Sequence, residues 1–256
     1  MPSYESQKDF DIFKHLARCM YARAVDVATL TDRDLRSIQI RLQKLTQRGY
    51  LAWIPSPYNT DEHVYYLTQL GWDKTLEMGA TDYEVKANRE KRDGHMKHDL
   101  QLTRLYVALY RILGERIARW SQLTRSRKER YGNGPQDKVN TDAVFSVRLD
   151  DGGYAIVLVE IENQKGIKES LNKLRAHCRF AQSKAFRKKF GDNPCLSLLL
   201  KENDERLTNV LKAAHEDDEL ATRMFLLATY KEPTTYRTPV DFETRTWGFQ
   251  DLAALV

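Results

Sequence analysis

Residues 139–165 read VNTDAVFSVRLDDGGYAIVLVEIENQK, and no other stretch limits the fold as tightly. Two runs of β-branched and aromatic residues flank Asp150, Asp151, Gly152 and Gly153, the pattern of a β-hairpin. A three-residue loop, Asp150-Asp151-Gly152, with Gly152 in the left-handed conformation, sets Leu149 opposite Gly153. Counting back along both strands sets Asp142 opposite Glu160, and Glu162 follows two residues on along the same face. Ala143, Phe145, Val147 and Leu149 then point the other way, into a core. A two-residue turn would send Asp142 to the face opposite both glutamates, so the arrangement rests on one residue of register. Three acids therefore stand beside the apolar run Ala155 to Val159. A buried carboxylate either neutralises or finds a cation.

The chain has 256 residues, 41% hydrophobic and 30% charged, enough for two compact domains. No window has the apolar length of a membrane span, and MPSYESQKDFDIF lacks the basic-then-apolar pattern of a signal segment. That predicts a cytoplasmic protein without membrane insertion. Cys19, Cys178 and Cys195 are odd in number and lack CxxC spacing, which predicts free thiols and argues against zinc. Of the formal net charge of +5, the basic excess lies in RSRKER (125–130) and between Lys165 and Lys189. A localised basic band suits a polyanion partner.

Residues 1–79 read as a winged helix-turn-helix. DFDIFKHLARCMYARA carries Phe10, Phe13, Leu16 and Met20 at helical steps, and AVDVATL is a short second helix. A third helix follows over Asp32 to Arg48, capped by Thr31 or Asp32 and stopped by Gly49. Its apolar stripe is Leu35, Ile38, Leu42 and Leu45. The opposite face carries Arg36, Gln43, Lys44 and Gln47, side chains suited to base edges and phosphates. YLAWIPSPYNTDEHVYYLT gives a hairpin wing, and QLGWDKTLEMG a closing helix. Three helices and a wing in this order would place the third helix in a major groove. Residues 80–94, polar and charged, form a linker.

From 95 to 256 the expected order is helix, three strands, helix, strand, helix, strand, an α/β sandwich around a mixed sheet. The helices are HMKHDLQLTRLYVALYRIL, IKESLNKLRAHCRFAQSKAF and DERLTNVLKAAH; the strands beyond the hairpin are ARWSQLTRS, CLSLLL and TRMFLLATY. With Asp142 and Glu160 about 5 Å apart at Cβ, like charges need compensation. A hard cation, Mg²⁺ or Mn²⁺, suits oxygen ligands of this kind. Lys168, Lys173 and Arg175 on the basic helix would carry a DNA backbone past it. The bland alternatives are a strand-end cap at Asp142, a lysine partner for Glu160 and solvent around Glu162.

TDAVF, a hairpin, VLVEIENQKG and a helix containing KLRAHCRF together resemble the PD-(D/E)xK restriction-endonuclease-like nuclease pattern. With the winged helix before it and HMKHDL opening the second domain, the chain is similar to the replication-relaxation proteins, most of all to the MobC-type relaxases of mobilisable plasmids. The resemblance implies a metal-dependent endonuclease, a relaxase, that binds a plasmid transfer origin and nicks one strand for conjugative mobilisation by direct attack of water. Asp142 matches the motif aspartate and Glu160 the acid of the (D/E)xK element. Glu162 occupies the lysine position and Thr141 that of the proline. The implied site is Asp142, Glu160, Glu162 and Lys165, with the three acids as metal ligands; Lys165 or Lys173 would supply the missing positive charge. Other mobilisation or conjugation proteins, and a homodimer on inverted repeats, are the implied partners. The commoner relaxases use a histidine cluster and a nucleophilic tyrosine; His95 and His98 instead open a helix, and Tyr131, Tyr230 and Tyr236 fall on expected loops. Glu162 in place of lysine favours the rival reading, a non-catalytic DNA-binding regulator or replication accessory protein with a degenerate nuclease fold.

Overall fold

A computed structural model describes residues 4–58, 61–80, 93–122, 129–130, 138–162, 166–220, 225–229, 235–237 and 247–248. It is a mixed α/β chain that divides into two compact units, Met1–Val107 and Ala108–Val256. Among the described residues no helix is long and apolar enough to cross a membrane. The three cysteines are free thiols.

The first unit runs α1 (Tyr4–Arg18), β1 (Ala22–Arg23), α2 (Ala24–Leu30), α3 (Leu35–Gln47), β2 (Leu51–Pro55), β3 (His63–Leu67) and α4 (Gln69–Glu77). The first helix stops earlier than its apolar spacing predicts. Ala22 leaves it to pair with Tyr65 in a three-stranded antiparallel sheet of order β1-β3-β2. Arg23 then starts α2: Asp26 accepts from the Arg23 backbone N–H at 2.9 Å and from its guanidinium at 2.9 and 2.8 Å. The cap of α3 is Asp34, which accepts from the Ser37 amide at 2.8 Å, rather than Thr31 or Asp32. Asp32 has φ 50° and belongs to the turn before the helix. Ile38, Leu42 and Leu45 are buried as expected, but Leu35, the residue after the cap, is exposed. Gly49, at φ 77°, ends this segment in the conformation that glycine tolerates best.

A long helix, α5 (Asp93–Leu113), follows the expected linker, of which residues 81–92 lie outside the described residues. Its Met96 and Leu100 pack with Met20, Tyr21, Ile54 and Val64 in the core of the first unit. His95 and His98 both fall on this helix, as their spacing predicts; His98 is buried, its Nδ1 3.6 Å from Asp99 Oδ1.

The second unit continues with β4 (Ile117–Gln122), β5 (Glu129–Arg130), β6 (Lys138–Val139), β7 (Ala143–Arg148), β8 (Tyr154–Glu162), α6 (Ile167–Ala181), α7 (Lys184–Phe190), β9 (Cys195–Lys201), α8 (Asp204–His215), β10 (Phe225–Thr229), β11 (Thr235–Tyr236) and β12 (Trp247–Gly248). Five strands form one mixed sheet of order β10-β9-β8-β7-β4, with β8, β9 and β10 parallel and β7 and β4 antiparallel. β5 and β6 pair as a small antiparallel ribbon, and Tyr236 sits on a strand rather than a loop. Tyr131 and Tyr230 lie outside the described residues.

The hairpin register is the expected one. Ala143 pairs with Val159 and Arg148 with Tyr154, Leu149 N–H donates to the Gly153 carbonyl at 2.9 Å, and Gly152 has φ 88°. Ala143, Phe145 and Val147 are buried on one face of the sheet. The single basic helix expected after the hairpin is two. Ser183 breaks it by accepting the Phe186 amide at 3.1 Å, capping α7.

Alternation along parallel strands places the site. On β8, Ile156, Leu158, Glu160 and Glu162 share one face. On β9 the in-register partners Cys195, Ser197, Leu199 and Lys201 line the same side. α6 covers it with Ser170, Leu174, His177 and Phe180, buried at helical steps. Leu174 packs with Leu199, and Phe180 with Ile156 and Leu158. This layer is apolar at the start of the strands and turns polar toward their C-terminal ends, where open α/β sheets collect ligands.

Candidate functional site

Glu160 and Glu162 are both almost fully buried, 1% exposed each. Both have found cations. Lys173, reaching down from α6, donates to Glu160 Oε2, and its Nζ lies 3.8 Å from Glu162 Oε1. Lys201, buried at the end of β9, donates to Glu162 Oε2 at 2.8 Å and to Ser170 Oγ at 2.7 Å. Ser170 in turn donates to Glu162 Oε2, closing a triangle of lysine, serine and carboxylate. Register makes that triangle possible, because Glu162 and Lys201 are direct partners on adjacent parallel strands.

The two glutamates differ in the exposure of their lysines. Glu162 and its lysine are sealed inside the layer. Lys173 is about one-quarter exposed and stands at the mouth. Among the described residues Glu160 Oε1 is buried and makes no hydrogen bond, and the same holds for His177 Nε2, 3.4 Å away. The other imidazole nitrogen, Nδ1, lies 3.0 Å from the Ser197 hydroxyl.

Asp142 departs from the simple ladder. Its backbone N–H donates to the Val159 carbonyl at 2.9 Å, so it precedes β7 instead of opening it. Its Oδ2 accepts from the Ile161 amide at 2.8 Å, taking the place that a strand carbonyl would have filled.

Burial, and then the positive charge of Lys173, push the His177 pKa down to about 3 from 6.5, while Asp142 opposes the change. His177 is thus neutral in the folded protein, whereas in the unfolded chain it takes up a proton below its ordinary value. Between those two values the unfolded state binds more protons, so stability falls as pH drops from 6.5 toward 3. Urea titrations in this window should show wild type losing up to about 1.4 kcal/mol per pH unit from this one proton. His177→Gln should lose stability less steeply; equal slopes would exclude the histidine as the source.

The other expected residues divide. Lys165 lies outside the described residues. Lys168 is exposed on the first turn of α6. Arg175 makes a hydrogen-bonded ion pair with Asp217 and has Glu219 at 3.8 Å. On α3, Arg36, Gln43, Lys44 and Gln47 are all exposed on one side. Lys201, Ser170 and His177 escaped the sequence reading. A polar residue interrupting the buried stripe of α6, and a lysine ending CLSLLLK, were the available signals.

Among the described residues no three His, Cys, Asp or Glu side chains are gathered to cage a metal. Mg²⁺ asks for less, since it keeps several waters and is held by one or two carboxylates together with substrate phosphate. The buried, hydrogen-bond-free Glu160 Oε1 is an oxygen donor of that type, with Asp142 at the same strand ends. Glu160 Oε1 therefore suits a carboxylate ligand of such an ion, and the described residues do not form an all-protein cage.

The family described as Replication-relaxation matches residues 14–196, more than half of the chain. The match takes in Asp142, Glu160, Lys173 and His177 and stops short of Lys201. No curated protein matches the sequence.

Proposed function

This chain belongs to the replication-relaxation family, and on that premise we propose that it binds plasmid DNA and nicks one strand at a transfer origin. In this reading the first unit is a winged helix that presents Arg36, Gln43, Lys44 and Gln47 to the duplex. The second is a PD-(D/E)xK-like nuclease core whose working residues are Asp142, Glu160 and Lys173. Lys173 takes the role that the family pattern gives to the position of Glu162. The observation that carries the reading is Glu160: one oxygen held by the partly exposed Lys173, the other buried without a hydrogen bond among the described residues, beside His177.

Asp142 and Glu160 would hold Mg²⁺ or Mn²⁺. Such an ion, when bound, supplies Lewis-acid chemistry that makes water a stronger nucleophile and stabilises charge on the leaving oxygen. The protein's own contribution is positional and electrostatic. The Ile161 amide fixes Asp142. His177 is neutral and packs against Glu160, so it adds no competing positive charge. Lys173, partly exposed, can turn from Glu160 to the scissile phosphate and offset its charge.

A second reading has its own support: both glutamates already possess ammonium partners, which suits a DNA-binding replication accessory protein that does not cut. Incubation of supercoiled plasmid bearing the transfer origin separates the two. The nickase relaxes it with Mg²⁺ or Mn²⁺ and not in EDTA, whereas the accessory protein binds it in every buffer and never relaxes it.

A further inference from the structure

The basic stretch between Lys165 and Lys189 is used unequally. On α6, Lys173 serves Glu160, Arg175 serves Asp217 and Glu219, and Arg179 lies 3.3 Å from Glu219. These cations hold the second unit together. α7 differs: its seven residues, KAFRKKF, include four cations and no acid. We propose that α7 is a docking surface for the DNA phosphate backbone, through Lys184, Arg187, Lys188 and Lys189.

The helix is built to present charge outward. At about 100° per residue, Phe186 and Phe190 share one side, and Lys188 points directly away from them. Phe186 is buried with Val139, Ile156, Leu158 and Phe180, and Phe190 packs at the edge of the same cluster. Lys184 and Arg187 flank Lys188 on one side; Lys189 lies on the other, its Nζ 5.4 Å from the Phe190 ring. All four cations are exposed. The Ser183 cap and Gly191, at φ 71°, fix both ends.

A solvated helix face would also be charged, and basic residues in a last turn favour the helix dipole. Those roles do not call for four like charges without an acid among them, because repulsion between cations one turn apart, Lys184 with Arg187 and Lys188, weakens a short helix. The acid nearest in sequence, Asp192, is itself exposed, 3.7 Å from Arg187. A cluster of this kind is stabilised by a polyanion, and a phosphate chain supplies regularly spaced negative charge that a row of cations can neutralise. The proposal rests on the reading that this protein binds DNA and specifies where the second unit would meet it.

The test is the salt dependence of binding by the full chain to a short random-sequence duplex, which reports phosphate neutralisation and no base reading. The double variant Lys184→Gln/Lys188→Gln is compared with wild type and with Lys212→Gln, an exposed lysine of α8. Removing two cations that each neutralise a phosphate should lower the slope of log affinity against log salt by about 1.8, and lower affinity near 0.1 M salt on the order of tenfold. Lys212→Gln should leave the slope as it is. Circular dichroism should match wild type, since the cap and both phenylalanines remain. An unchanged slope in the double variant, with wild type binding strongly, overturns the α7 surface and leaves the DNA-binding reading standing. An equal effect from Lys212→Gln also overturns it, by reducing the effect to net charge. Wild type without salt-dependent affinity overturns both.

Discussion

Asp142→Ala and Glu160→Ala are each expected to reduce nicking of supercoiled plasmid by about 10²–10³-fold or more, the scale set by removing one preorganised electrostatic group from a reaction centre. Binding to origin DNA should survive in both, because the exposed side of α3 lies in the other unit. The two variants differ in what they leave behind. Without Asp142 the Ile161 amide loses its acceptor in a buried place, a local cost of about 1–3 kcal/mol. Without Glu160, Lys173 loses its partner but is exposed enough to turn toward water. Glu160→Gln is the cleaner probe, since it keeps the shape and removes the charge. Nicking assays with Mg²⁺ and with Mn²⁺, run beside filter binding, supply both readouts. Undiminished nicking in Asp142→Ala and Glu160→Gln would falsify the proposed centre.

Lys201→Met should have the largest effect on stability, about 3–5 kcal/mol, the cost of leaving one member of a buried ion pair without the other. Glu162 would keep Ser170 as a donor but lose the ammonium that neutralises it. For a chain of this size each kcal/mol moves the Tm by roughly 2–4 °C, so a fall of about 10 °C is expected. The double variant Glu162→Leu/Lys201→Met should regain most of the loss, because apolar replacement of a whole buried pair is often neutral or better. Lys173→Met should cost much less, since its ammonium is partly solvated. Urea unfolding of the four proteins checks the order. A Lys201→Met protein within about 1 kcal/mol of wild type would show the pair to be dispensable.

The acidic hairpin was legible because its turn was. Glycine at position 152 demanded the left-handed conformation, and that one requirement set every pairing from Leu149 back to Ala143. α2 and α8 were likewise readable from end to end, since their apolar spacing and their neighbours agree. What escaped were interactions between residues far apart in the chain. The partners of Glu162 come from α6 and from β9, and nothing local distinguishes Lys201 from any lysine at the end of an apolar strand. The acids that pair with Arg175, Asp217 and Glu219, likewise follow some forty residues later. Capping was the other source of difference. Asp34 and Ser183 accept backbone amides that several neighbouring oxygen-bearing side chains could have taken, and only geometry chooses between them.

The parallel pairing of β8 with β9 bears on how the chain is made. A ribosome delivers the β7–β8 ribbon complete, and its tight turn lets it close at once. Lys201 emerges 39 residues after Glu162, at synthesis rates of about 5–20 residues per second a delay of a few seconds. Throughout that interval the carboxylate has no ammonium from β9 and must stay hydrated, which keeps α6 from sealing over it. The helical layer can close over Glu162 only once the later strand has arrived, so vectorial synthesis sets the earliest moment at which that pair can be buried.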